Sequence, residues 1–180
     1  MPVLTRLINK SFCSGVFPDC LKKATIIPLY KKGDKFKMEN YRPISLLPYL
    51  SKIFEKCLYA RIYNFFTTYD LFSHKQFGFL HNKSATDALL SFTEYQYSVL
   101  NSKDFSINIF VDFVKAFDLV QHDILLRKFY RYGVRGLPHE LISSYLSDRK
   151  QIVKNGDYFS SECAVRAGVP QGSVLGPLFS

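Results

Sequence analysis

Apolar residues recur at helical spacing at Leu4, Leu7, Ile8 and Phe12, and Gly15 followed by Pro18 supplies a stop, which predicts a short opening helix. Residues 24–31 (ATIIPLYK) have the composition of a strand, with Pro28 confining it to an edge or bulged position because proline lacks the ladder donor. The loop KKGDKFKMENYRP follows, with a turn at Gly33-Asp34, and Arg42 just before Pro43 is biased toward extended backbone. From Ser51 onward Ile53, Phe54, Cys57, Leu58, Ile62, Phe65 and Phe66 trace one apolar stripe, with Lys52, Glu55, Lys56 and Arg61 largely off it. A second long helix begins at Ser84, where Ser84-Ala85-Thr86-Asp87 has capping-box form and Ala88, Leu89, Phe92, Tyr95 and Val99 make the expected buried face. Between the two lies a glycine-bearing loop, QFGF.

Ile107, Ile109, Val111 and Phe113 alternate with Asn108, Phe110 and Asp112, predicting a strand buried on at least one face and ending in a carboxylate. Helices are expected over 123–132, closed by Gly133, and over 138–146, with Pro138 in the first turn. QIVKNGDYFS has the form of a hairpin turning at Asn155-Gly156. The final stretch, AGVPQGSVLGPLFS, holds Gly168, Pro170, Gly172, Gly176 and Pro177, so its first half must form a tight loop with Gln171 at the tip. No internal repeat, low-complexity tract or linker stands out.

The chain has 180 residues, which suits one domain or one large piece of a bigger one. At 47% apolar and 16% aromatic it has the material for a core, and composition excludes disorder. No apolar stretch is long enough for a membrane span, and the first ten residues do not have the form of a secretory leader. Cys13, Cys20, Cys57 and Cys163 form no Cys-x-x-Cys pair and no zinc set with the histidines, so they are expected as reduced thiols, used as small buried hydrophobes in an intracellular protein. The net charge of +9 is uneven, with nine basic groups against three acidic ones in the first fifty residues. Seven of the basic groups fall within 22–42, a density that either holds a polyanion by counterion release or serves as a solvated face.

Candidate chemistry centres on few residues. Asp112 closes an apolar run where an ionised carboxylate is costly to desolvate without a partner, so it either holds Mg²⁺ or pairs with Lys115. Asp118, beyond the expected strand, is assigned to capping the helical segment that follows. Gln171 offers both a donor and an acceptor at its loop tip. No phosphate loop of the nucleotide-hydrolase type exists, since Gly-Lys-Ser and Gly-Lys-Thr are absent.

Four segments, PLYKKGDKFKMENYRPISLLPYLSKIFEK, QFGF with SATDAL, FVDFVKAFDLVQHDILL and GVPQGSVLGPLF, resemble in order four successive blocks of the reverse transcriptase domain of non-LTR (LINE-like, jockey-type) retrotransposons. The resemblance implies that Asp112 ligates catalytic metal ions, helped by the backbone carbonyl of Phe113. It implies that Phe117 is the gate that rejects a 2′-hydroxyl, that Lys31 or Lys32 together with Arg42 grips the incoming triphosphate, and that Gln171 lies against nucleotide and template in a loop shaped by Gly168, Pro170 and Gly172. The implied cofactor is Mg²⁺ or Mn²⁺, expected only in the complete domain. The implied partners are an RNA template, a DNA primer and deoxynucleoside triphosphates, with no membrane, nothing pointing to an oligomer, and a nuclear or cytoplasmic ribonucleoprotein as the setting.

In that family the GVPQGS block is followed by a hairpin with adjacent aspartates, whereas these residues contain no Asp-Asp pair, so the sequence is taken for a fragment. The expected fold is α+β: fingers over 1–105 and an incomplete palm over 106–180, with an antiparallel palm sheet, packed helices and a central strand ending at Asp112. The expected function is RNA-directed DNA synthesis by two-metal nucleotidyl transfer, inactive in these 180 residues alone. The alternatives are a non-catalytic nucleic-acid-binding remnant and a decayed retroelement copy.

Overall fold

Helix α1 (Pro2–Ser14) ends as its pattern predicts, in a computed structural model that describes residues 2–179. Gly15 takes a φ of +67°, and the Val16 carbonyl accepts the Ser11 hydroxyl, which turns the chain. The described residues divide into two units, one of residues 2–63 with 115–179 and one of Asn64–Val114.

The first unit holds the sheet. Strands β1 (Lys23–Tyr30) and β2 (Tyr41–Leu46) pair antiparallel, and β1 also pairs in parallel with β3 (Lys150–Asn155). Strands β4 (Tyr158–Phe159) and β5 (Cys163–Ala164) both pair antiparallel with β3. Pro28 therefore lies in an interior strand rather than at an edge. It faces Pro43, a pair with no N–H on either side, and β3 reaches only to Ile26, so neither ladder loses a donor it needs. The β3–β4 hairpin forms with its link one residue further on than expected: Asn155 pairs with Tyr158, and Gly156 takes the positive φ of +59°.

Helices α2 (Tyr49–Thr68), α4 (His122–Arg131) and α5 (Leu137–Leu146) supply the core's other walls. Phe17 meets Phe54 and Tyr145 edge-on, with centroids 5.9 and 5.0 Å apart. Phe179 of the short α6 (Gly176–Phe179) packs on Phe129 at 5.3 Å. On α2 the expected stripe is buried at Phe54, Leu58 and Ile62, but Ser51 and Glu55 are buried beside it, so Glu55 belongs to the inner face.

The second unit comprises the end of α2, the loop after it, and α3 (Ala85–Asn101) with the segment that follows. The capping box is present: Ser84 Oγ accepts from the Asp87 amide at 3.2 Å and Asp87 Oδ2 accepts from the Ser84 amide at 2.7 Å. Helix α3 buries nothing, and the apolar face expected to be covered is open, Leu89 being 64% exposed. Residues 107–113 form no strand, because no strand among the described residues pairs with them, and Ile107 is 92% exposed. The segment is instead joined to α3 by the Gln96 side chain, which meets Ser106 at 2.7 Å and Asn108 at 2.9 Å, and by Phe110 on Phe92.

The fold is thus α+β, with a mostly antiparallel sheet. Among the described residues no helix is long and apolar enough to cross a membrane. The cysteines are unpaired, but Cys13, Cys20 and Cys163 are exposed and not the buried hydrophobes expected, since each lies on a short element or helix face that nothing covers.

Candidate functional site

The Gly-Pro loop is built from its backbone. Ser173 N donates to Pro170 O at 3.0 Å, closing a turn whose third residue, Gly172, takes a φ of +106° that an L side chain resists. A side chain there would also stand 3.1 Å from Ser45 O. Gly168 has a φ of +85°, and an added Cβ would lie 2.7 Å from Asp118 O, a distance only glycine permits. The loop is held on one side by Gly168 N to Val120 O and Val169 N to Phe117 O, both 2.8 Å, and by His122 Nε2, which donates to Gly168 O at 2.8 Å. On its other side Ser45 N donates to Gln171 O at 2.8 Å, which fastens the loop tip to β2.

Asp118 does not cap a helix. Helix α4 starts at His122 after Gln121, with no side-chain cap, leaving Asp118 too far upstream to reach the first turn. Its carboxylate instead accepts from Gln171 Nε2, at 3.1 and 3.3 Å to its two oxygens. Both residues are half-buried.

Behind the loop lies a polar group that sequence pattern misplaced. Glu55 is wholly buried, accepts from Ser51 Oγ at 3.2 Å and Tyr145 Oη at 3.1 Å, and takes the Val174 amide at 2.7 Å on its other oxygen. Burial pushes its carboxyl above the ordinary glutamate range, opposed by the hydrogen bonds from Val174, Tyr145 and Ser51 and by the charge of Arg149. Burial, together with the adjoining Glu55 charge, likewise pushes the Tyr145 hydroxyl up. Arg149 is buried, donates to Tyr145 O at 3.1 Å and stacks over the Tyr145 ring at 4.7 Å. The 51, 55, 58, 62 spacing could have revealed Glu55 on the inner face; the roles of Arg149, His122 and Asp118 depend on partners far away in sequence.

The basic stretch is narrower than its count. Lys22 is buried and bound to Asp19 at 2.8 Å, and Lys23 pairs with Glu162 at 2.6 Å. Lys31, Lys32, Lys35, Lys37 and Arg42 remain exposed and without an ion pair among the described residues, all on the β1–β2 hairpin. Arg42 sits opposite Leu29, and Lys31 N donates to Asn40 O at 2.9 Å where the hairpin loop leaves β1.

Of the expected site residues, the first unit brings Phe117, Gly168, Pro170, Gln171 and Gly172 into one cluster, joined through Ser45 to the strand that bears Arg42. Lys31 and Lys32 follow the end of β1. Asp112 and Phe113 belong to the second unit, where both are exposed. Asp112 makes no ion pair with Lys115 or any other residue described. Its carboxylate and the Phe113 carbonyl are oxygen donors of the kind Mg²⁺ accepts, and an exposed, uncommitted carboxylate fits that use. No group of three or more His, Cys, Asp or Glu that could hold a metal occurs among the described residues.

The sequence matches the family model described as "Reverse transcriptase (RNA-dependent DNA polymerase)" over residues 29–180. It is 36% identical over 169 residues to the "Probable RNA-directed DNA polymerase from transposon BS" of Drosophila melanogaster, covering 90% of this chain and 18% of that protein. It is 34% identical over 175 residues to the "RNA-directed DNA polymerase from mobile element jockey" of the same species, covering 97% of this chain and 19% of that protein. The chain thus spans about a fifth of the length of these relatives.

Proposed function

The chain belongs to the reverse transcriptase (RNA-dependent DNA polymerase) family, and from that premise we propose that it is part of a polymerase domain that copies RNA into DNA, its first unit binding the incoming nucleotide and the template beside it. In this reading residues 1–105 serve as fingers and 106–180 belong to the palm. The observation that carries it is the Ser45–Gln171 backbone bond, which sets the loop tip on the strand bearing Arg42, with Phe117 bound to the same loop from the other side.

Arg42 presents a planar fork suited to two phosphate oxygens at once, and Lys31 or Lys32 adds a point charge. In this reading Phe117 would meet the sugar with its ring and refuse a 2′-hydroxyl by bulk. Gln171 contributes a carboxamide toward nucleotide and template. Asp112, with the Phe113 carbonyl, would hold a divalent ion, Mg²⁺ or Mn²⁺. Reverse transcriptases use such ions to neutralise the charge that develops at the transferring phosphoryl group.

Salt titration of single-stranded RNA binding by the 180-residue chain tests the basic hairpin. If its five exposed cations meet phosphates, log affinity falls with log salt at a slope of roughly −3.5, and Arg42→Ala makes it shallower by about 0.7. A flat response removes the hairpin from the nucleic-acid path.

A further inference from the structure

We propose that Asp118 is a positioning residue that fixes which end of the Gln171 carboxamide faces bound nucleotide or template. The proposal rests on the placement of Gln171 in the reading above and adds a polarity to it.

A carboxylate can only accept, so the end of Gln171 lying 3.1 and 3.3 Å from the two Asp118 oxygens must be the NH₂. A flipped amide would set Oε1 against those oxygens, two acceptors in contact. Neither partner can drift to relieve the pairing. The Gln171 backbone is bound to Ser45, and the backbone around Asp118 is bound to the loop through Phe117 O and Val120 O. Gly168 lets the two segments approach to a distance no other residue allows. The carbonyl Oε1 is therefore the end directed away from Asp118, and it carries no hydrogen bond among the described residues. An outward acceptor takes a donor: a sugar hydroxyl or a base N–H. It does not take a phosphate oxygen.

The test uses the fact that different substitutions break the pair in different ways. Asp118→Asn keeps size and can still bond Gln171, but in either orientation, so the fixed polarity is lost without loss of fold. Gln171→Glu puts two carboxylates together. The double variant Asp118→Asn/Gln171→Glu restores one donor facing one acceptor, reversed, and again leaves an oxygen directed outward.

In the 180-residue chain labelled with ¹⁵N-glutamine, the Gln171 side-chain amide should exchange with solvent slowly, and at least about tenfold faster in Asp118→Ala. Equal exchange in both overturns the proposal whatever the protein does. Affinity for single-stranded RNA should fall by up to about twofold in Asp118→Asn, by more than that in Gln171→Glu, and recover in the double variant. A double variant no better than the worse single overturns the assigned polarity. Replacing RNA by the same DNA sequence identifies the donor. Loss of the Gln171-dependent part assigns a sugar hydroxyl, and its retention assigns a base N–H. If the amide exchange behaves as expected but none of the variants alters binding, the pair stands and the placement of Gln171 at the nucleotide is what fails.

Discussion

The two units share a composition of apolar periodicity and polar gaps, yet they end in opposite states. In residues 2–63 with 115–179, Ile142, Tyr145 and Leu175 are fully buried, and their rings and methyls are closed in by helices and a sheet drawn from both ends of the chain. In Asn64–Val114 the buried hydrophobic residue among those described is Phe66, while Leu89, Tyr95, Ile107 and Ile109 stand open to solvent. Fully covering one such side chain is worth ~1.5 to 3 kcal/mol, so the second unit forgoes most of what its pattern could contribute. Periodicity identifies residues fit to be buried; whether they are buried depends on a partner surface that the pattern does not encode.

This contrast predicts a separation of effects, largest at Asp112. Carried within a complete jockey-type polymerase in place of the matching residues, Asp112→Asn should lower turnover by at least ~10³-fold, since it removes the charge assigned to the metal ion while leaving its exposed site unstrained. Activity within tenfold of the parent would break the assignment. Thermal melts should be unchanged, because the segment packs on little.

Stability should behave the other way. Ile142→Ala, in a fully buried position, should cost roughly 2 to 5 kcal/mol by denaturant melts, whereas Leu89→Ala should stay within about 0.5 kcal/mol. Equal costs would mean that α3 is covered in solution.

The smallest effect is a slope. Burial holds the Glu55 carboxyl above its ordinary value near 4.5, so the folded state binds that proton more tightly than the unfolded state does. Its contribution is fully present below about 4.5 and declines as pH rises through the raised value. The stability of the parent relative to Glu55→Gln should therefore fall across that range, and a gap independent of pH would show the carboxyl to be solvated. The Tyr145 hydroxyl beside it is pushed up and stays neutral there, so it does not obscure the trend.

Legibility followed the range of the interaction. The Ser84–Asp87 capping box, the Gly15 stop and the α2 stripe rest on neighbours within a turn or two and were readable from the residues alone. The Gly168–Gly172 loop was readable as a loop, because two positive φ values demand glycine. The parallel pairing of β1 with β3 joins Lys23 to Lys150 and has no local signature. Residues 107–113 had a strand's alternation, but a strand exists only where another offers hydrogen bonds. Asp118 was assigned to a cap because local geometry favours one; its partner lies fifty-three positions on.

That reach in sequence has a temporal side. Val174 is made 119 residues after Glu55, and at ribosomal rates of about 5 to 20 residues per second the interval is roughly 6 to 24 seconds. Through that time Glu55 remains hydrated and charged, since nothing yet synthesised can supply the amide that joins its buried network. Ser45 likewise waits for Gln171, and Asp118 for the same residue. The nascent chain can therefore build its hairpin and its long helix early while the Gly168–Gly172 loop is still unmade, and a ribosome stalled before position 171 would display the basic hairpin with no loop fastened to it.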